Sequence, residues 1–291
     1  MNKKSPSNLL VFKKLPVLLD GAIGTELIKR GCSLNDCLEK FAIENPKVIT
    51  EIHQAYIEAG SEIIYSATFG ANRARLKRFN LTDETKNINQ LLTSLARKVA
   101  GAEVKVAGSV GPTGIDVNNN NFDEVYDTFK EQIEGLLSGE VDLIVIETMT
   151  GFMEAKAALE AVRLLSSIPV MVSFTFDRNG LTKEGITAEQ VALECKNLGV
   201  SAIGINCMSK PELMLKIINQ MKEKVSLPLM AKPNAGLPRT KNNQSYYPLT
   251  AIDFVNICHQ LIDAGVSLIG GCCGTTPKYI KKLGDSLKLH Y

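Results

Sequence analysis

Three cysteines offer the clearest chemistry in this chain. Cys272 and Cys273 are adjacent, with Gly270-Gly271 before them and Gly274 after. They close the apolar run Val266–Gly271. A strand sends neighbouring side chains to opposite faces, and packing alone would use each cysteine as a small hydrophobe. For both thiols to serve one point the backbone must leave strand geometry there, which glycine allows at little cost. Cys207 ends a second apolar run, Ala202-Ile203-Gly204-Ile205-Asn206. Zinc takes four ligands, and a catalytic site leaves one position for water or substrate. Cys207, Cys272 and Cys273 match that count, so the sequence predicts one Zn²⁺ with an open fourth position. The alternative for Cys272-Cys273 is a vicinal disulfide or two buried thiols, a reading that weakens once Cys207 stands at a matching strand end.

A zinc ion held by three thiolates has little Lewis acidity left for activating water. It is suited to taking a fourth thiol and removing its proton. A free thiol has a pKa near ~8.5, and coordination deprotonates it near neutral pH. The predicted substrate is therefore a thiol, activated to attack carbon, with no separate catalytic acid or base assigned. Asp20 and Glu147 are the acidic residues at strand ends, placed to bind the ammonium of an amino-acid thiol. Asp20 could equally be a turn former before Gly21. A carboxylate ending the run Leu143–Ile146 needs a partner, which favours a role for Glu147. Backbone N–H groups of Ala22, Ile23, Gly24 and Thr25 could receive a carboxylate. Asn206 and Asn234 are candidate hydrogen-bonders to substrate, with structural roles equally open.

These residues sit at the ends of eight short apolar runs: Val17–Asp20, Ile63–Thr68, Val104–Ser109, Leu143–Thr148, Val170–Phe174, Ala202–Cys207, Leu229–Pro233 and Val266–Gly271. Continuous apolar runs are expected of parallel strands covered on both faces. Between them lie amphipathic stretches, including Asn87–Ala100, Asp123–Leu137 and Pro211–Met221. Pro46, Pro211 and Pro277 fall where helices should start. Gly60, Gly199 and Gly265 fall where helices should end. Eight β-then-α units predict a single-domain (β/α)8 TIM barrel over residues 1–291, with residues 1–15 as an N-terminal extension. The alternative is a doubly wound open sheet. It is disfavoured because Gly21-Ala22-Ile23-Gly24 is a poor phosphate fingerprint. In a barrel the strand C-termini carry the chemistry, and closure brings the sixth and eighth ends near each other.

The remaining features set bounds. The chain has 291 residues, 45% hydrophobic and 22% charged, with a net charge of +2. That gives no electrostatic reason for nucleic acid or a membrane as partner. No stretch approaches the ~20 apolar residues of a membrane span. The Lys-rich start, Met1 to Pro16, lacks a signal-peptide core, so a cytoplasmic location is expected. Seven cysteines, an odd number, favour reduced thiols or metal ligation over a disulfide framework. Cys32 and Cys37 read as exposed or packed thiols, and Cys195 and Cys258 have no comparable partners. His53, His259 and His290 read as surface or packing residues, and Asn118–Asn121 as a solvated loop.

At this point the chain resembles the homocysteine S-methyltransferase family. The matching motifs are Leu18-Leu19-Asp20-Gly21-Ala22-Ile23-Gly24-Thr25-Glu26, Gly204-Ile205-Asn206-Cys207 and Gly270-Gly271-Cys272-Cys273-Gly274-Thr275-Thr276-Pro277. The resemblance runs over nearly the whole chain. It is greatest to the homocysteine domain of cobalamin-dependent methionine synthase, through Ala67–Arg73, Gly111-Pro112-Thr113-Gly114 and Pro233-Asn234-Ala235-Gly236. Ser66-Ala67 departs from the more polar Thr-Asn pair expected there. The resemblance implies a barrel with zinc on the three cysteines and homocysteine as the thiol, methylated to methionine. It implies methylcobalamin as donor, carried by a partner corrinoid-binding protein or by further cobalamin or folate modules. The chain stops after its eighth helix, so the donor is expected from outside, docking on Gly111–Asn121 and Leu237–Tyr247. Two rivals stand: a stand-alone enzyme using a small donor such as S-methylmethionine or betaine, and a non-catalytic zinc or thiol sensor.

Overall fold

The computed structural model describes residues 15–118, 120–241 and 244–290. The reading of residues 1–14 as a leaderless extension lies outside them, as does part of each expected docking loop. Ten strands occur among the described residues: β1 (Val17–Leu18), β2 (Ile63–Tyr65), β3 (Lys105–Val110), β4 (Leu143–Met149), β5 (Val170–Phe174), β6 (Ala202–Asn206), β7 (Leu229–Lys232), β8 (Arg239–Lys241), β9 (Gln244–Tyr246) and β10 (Val266–Ile269). Eight form one parallel sheet in the order β1-β10-β7-β6-β5-β4-β3-β2. Its two ends meet where Leu19 pairs with Ile63. There the Glu62 amide donates to the Leu18 carbonyl at 2.7 Å and the Asp20 amide to that of Ile63 at 3.1 Å. The expected barrel is what forms. β8 and β9 make a separate antiparallel hairpin that the sequence reading took as loop.

Alternation along each strand explains the two cores. Val17, Leu19, Ile63, Tyr65, Val145, Met171, Met230 and Leu268 point inward and fill the barrel. Leu18, Ile64, Ile144, Val172, Ile203 and Ile269 point outward against the helices. Both sets are buried, which is why the runs read as unbroken apolar stretches. One backbone contact is very tight. A Cβ on Gly204 of β6 would stand 1.8 Å from the Met230 carbonyl oxygen of β7, so only glycine fits.

Eight longer helices follow the eight barrel strands, the first at Pro46–Glu58 and the last at Pro277–His290. Pro46 and Pro211 occupy first-turn positions, where the missing N–H costs nothing. Helix Phe122–Ser138 buries Val125, Phe129, Ile133 and Leu136 on one face, as its spacing requires. Gly60, Gly199 and Gly265 follow helix ends with φ of 101°, 72° and 116°, the left-handed geometry of a glycine stop. Two short helices, Gly24–Lys29 and Leu38–Glu44, precede the first long one. His53 lies in the third helix, Pro46–Glu58, and His259 in the penultimate one, Ala251–Asp263. Among the described residues no helix is long and apolar enough to cross a membrane.

Candidate metal and substrate site

The three cysteines converge at the C-terminal rim. Their sulfurs all lie within 4.8 Å of one another, with Cys207 Sγ 3.7 Å from Cys273 Sγ. All seven cysteines are free thiols, so the vicinal disulfide weighed above does not form here. Among the described residues this is the one group of three or more His, Cys, Asp or Glu side chains with metal-binding spacing. Cys32 and Cys37 are buried and take no part.

Main chain from the end of β7 builds this convergence. The Cys207 amide donates to the Lys232 carbonyl at 3.2 Å, and the Cys272 amide to that of Pro233 at 2.8 Å. The Ala235 amide donates to the Cys273 carbonyl at 2.9 Å. The segment Lys232–Ala235 thus ties both cysteine loops together. Cys207 has φ 59° and Gly274 φ 82°, the left-handed turns that take the thiols off their strands. Strain at a non-glycine residue such as Cys207 is the kind stored at functional sites.

Each sulfur faces one polar hydrogen. Asn206 Nδ2 approaches Cys272 Sγ at 3.8 Å and Asn234 Nδ2 approaches Cys207 Sγ at 3.9 Å. The Tyr247 hydroxyl bonds to Cys273. The thiols titrate as one group. Hydrogen bonds from Cys207 and Cys272, then from Tyr247, pull Cys273 well below the usual thiol range. Hydrogen bonding to Cys272 and Cys273, with burial, pushes Cys207 far above it. Three thiolates this close would repel one another, and a cation among them would relieve that repulsion. Three soft donors on a polar-hydrogen framework fit a zinc-type ion.

The carboxylates behave differently from one another. Glu147 Oε1 accepts from Ser109 Oγ at 2.6 Å and Oε2 from Asn206 Nδ2 at 3.3 Å. Burial, reinforced by the charge of Cys272, pushes its pKa up to about 7 against the pull of Lys232. Asp20 is fully buried. Its Oδ1 meets Lys232 Nζ at 2.5 Å and its Oδ2 accepts the Tyr65 amide at 2.7 Å. Burial raises its pKa while Lys232 opposes the rise.

Asn206 is the joint of this region. Its Oδ1 accepts from the Thr148 amide and from Ser173 Oγ, both at 2.9 Å. Its Nδ2 donates to Thr148 Oγ1 at 2.7 Å. Thr148 has φ 62°, a costly conformation for a β-branched residue, beside a register shift between Ile146 and Met149. Asn234 leans on Ser209 at 3.2 Å and keeps Oδ1 buried without a partner among the described residues.

A cavity of about 400 Å³ opens over the sulfurs. Its wall includes Ile23, Gly24, Thr25, Phe69, Glu147, Lys232 and the three cysteines, but not Asp20, Asn206 or Asn234. The Ala22 amide donates to Thr275 Oγ1 at 3.2 Å, so this member of the expected carboxylate cradle is already bonded. Helix Gly24–Lys29 begins beside it, and first-turn amides have no intrahelical acceptor. A larger open groove of about 1060 Å³ around Arg73, Lys86, Glu131 and Glu134 lies elsewhere. Its charges are spent on one another, as in Arg73–Glu131 and Lys86–Glu134.

The sequence reading missed Lys232, Tyr65 and Tyr247 as site residues. Lys232 ends an apolar run, and a lysine there signals a buried charge needing a partner, though not which one. Ser66, at the departing motif position, bonds Thr68 Oγ1 at 2.7 Å and accepts the Ser109 amide at 3.1 Å, and Ala67 joins the cavity wall.

The structure is thus a (β/α)8 barrel whose rim brings three thiols together at an amino-acid-sized cavity. A model of the family described as homocysteine S-methyltransferase matches residues 17–287, and the chain is a member of that enzyme family. It is 31% identical over 288 aligned positions to methionine synthase of Mycobacterium leprae (strain TN), and likewise to that of Mycobacterium tuberculosis (strain ATCC 25618 / H37Rv). Each match covers 92% of this chain and 24% of the relative, so the chain spans about a quarter of their length. The metallated form of homocysteine methyltransferase MmuM from Escherichia coli superposes with a TM-score of 0.83 at 28% identity, covering 97% of this chain and all of that one. Its apo form gives 0.75 at 29% identity, covering 97% of this chain and 99% of that one.

Proposed function

We propose that this chain holds Zn²⁺ on Cys207, Cys272 and Cys273 and methylates homocysteine to methionine. The convergence of three sulfurs within 4.8 Å carries this reading. When bound, zinc would supply a vacant position that accepts the substrate thiol as thiolate. The protein's own residues do the rest. Glu147 receives the substrate ammonium, which favours its ionised form. First-turn amides from Ile23 to Thr25, with the Thr25 hydroxyl that has no partner among the described residues, suit the substrate carboxylate. Asn206, Asn234 and Tyr247 hold the ligating sulfurs in place. The substrate gives up its S–H proton to solvent. A sulfur lone pair then forms the S–CH₃ bond as the donor–CH₃ bond breaks, its electrons leaving with the donor.

For the donor, the likeness to methionine synthase supports methylcobalamin presented by a partner protein or module. A second reading has its own support: MmuM, named a homocysteine methyltransferase, is matched over its entire length. That favours a small donor such as S-methylmethionine or betaine acting on the barrel alone. Assays with each donor separate the two. Turnover with a sulfonium and none with methylcobalamin selects the second; homocysteine binding with no transfer from any donor selects the sensor. A cytoplasmic setting suits the reduced thiols.

Elemental analysis of purified protein tests the metal directly. We expect one zinc per chain, lost in Cys272→Ala with the far-ultraviolet circular dichroism unchanged. Full zinc retention by that variant, or its global unfolding, would sink the assignment of a rim site.

A further inference from the structure

Of the two carboxylates that the sequence offers to a substrate ammonium, only Glu147 stands on the cavity wall. Asp20 is screened by Lys232. The lysine head lies 2.5 Å from Asp20 Oδ1 and 3.5 Å from the centroid of the Tyr65 ring. Its side chain is 3% exposed and that of Asp20 is 0%. Lys232 forms part of the cavity wall while Asp20 does not. An ammonium entering from the cavity thus meets another ammonium on the Asp20 side and a carboxylate on the Glu147 side. Like charges repel and the buried pair is costly to part.

We propose that Lys232 is a specificity-determining residue: it occupies the Asp20 carboxylate from within and leaves the substrate ammonium to Glu147, since Glu39, the other carboxylate on the wall, already accepts from the Gly70 amide and the Cys37 thiol. Lys232 also sets the polarity of the pocket. It is a buried cation lining the same cavity as Glu147 and the three cysteines. This inference rests on the thiol-substrate reading above and refines it.

The test compares binding of homocysteine with that of 4-mercaptobutanoate, which keeps the thiol and carboxylate and lacks the amine. Calorimetry on zinc-loaded protein gives the two dissociation constants, and their ratio cancels any general change at the metal. Wild type should prefer homocysteine by roughly tenfold to hundredfold, the worth of one charge-assisted hydrogen bond. Glu147→Gln should bring the two thiols within about threefold. Adding Lys232→Ala to Glu147→Gln uncovers the Asp20 carboxylate and should restore a preference for homocysteine of about tenfold. A preference that survives Glu147→Gln, or one that Lys232→Ala fails to restore in that background, overturns the proposal. If the double variant does not fold, Glu147→Gln decides alone. Wild type that binds both thiols equally overturns the inference and leaves the thiol site standing. Wild type that binds neither removes the underlying reading itself.

Discussion

Asn206→Ala is the perturbation whose cost can be worked most fully. The side chain is 1% exposed and engages Thr148 twice, Ser173 once and Glu147 once at 3.3 Å or less. A buried hydrogen bond is worth about 1 kcal/mol net, and a partner stranded away from water costs about 1–3 kcal/mol. Ser173 is fully buried and cannot turn to solvent, whereas half-buried Thr148 and cavity-lining Glu147 can. Relaxation at Thr148, whose φ of 62° stores about 1–3 kcal/mol, returns part of the loss. The balance is a destabilisation of about 3 kcal/mol. Urea unfolding of reduced, metal-free protein measures it, with an unchanged denaturant slope showing that the unfolded state is unaltered. The same relaxation releases the turn that aims Glu147, so homocysteine affinity should fall about tenfold or more. A loss below about 1 kcal/mol, with unchanged affinity, would show that Asn206 does not hold this turn.

Two further expectations concern the barrel and its acid tolerance. Gly204→Ala should fail to give soluble, cooperatively melting protein, because its Cβ meets main chain at 1.8 Å and no rotamer relieves that; a variant melting within a few degrees of wild type would contradict the β6–β7 register. His53 is buried, its ring nitrogens have no partner among the described residues, and burial lowers its pKa from 6.5 to about 4. The unfolded chain therefore binds the extra proton first. Stability is fully present above pH 6.5 and declines as pH falls toward 4, by about 3 kcal/mol in all. Glu147 works the other way, since a pKa raised to about 7 gives stability at low pH that is lost as pH rises through 7. The difference between wild type and His53→Phe isolates the histidine, and parallel stability curves from pH 7.5 to 4.5 would refute the assignment.

Much of the barrel is legible in sequence because its signals are local. An apolar run of four or five residues says strand, and proline or glycine at its proper offset says where a helix starts or stops. The cysteines are legible for another reason: a Cys-Cys pair among glycines serves no packing purpose. What stayed hidden depends on contacts between distant residues. Lys232 and Asp20 are 212 positions apart, and nothing near either one names the other. Tyr247 reaches Cys273 from beyond the β8–β9 hairpin, whose strands are only three residues each, too short for periodicity to register. The turns at Thr148 and Cys207 use left-handed backbone at residues whose type argues against it, so no propensity could have located them.

The same long-range logic explains why the site can be both precise and dispensable to the fold. Cys207, Cys272 and Cys273 are positioned by main-chain bonds to Lys232, Pro233 and Ala235, not by their sulfurs. Removing a sulfur leaves those bonds intact, which is why Cys272→Ala should lose metal without unfolding. Removing the buried charge of Lys232 is different in kind. Its carbonyl fixes Cys207 while its ammonium neutralises Asp20, so one residue joins the cysteine rim to the buried carboxylate behind the cavity wall. A methionine there keeps the first link and strands the Asp20 carboxylate, a loss of about 3–5 kcal/mol for a broken buried pair. Converting Asp20 to asparagine in the same chain removes the stranded charge and should restore most of that stability. Coupling between the two substitutions is therefore the thermodynamic signature of the pair, and simple additivity in a double-mutant cycle would show that no such pair exists.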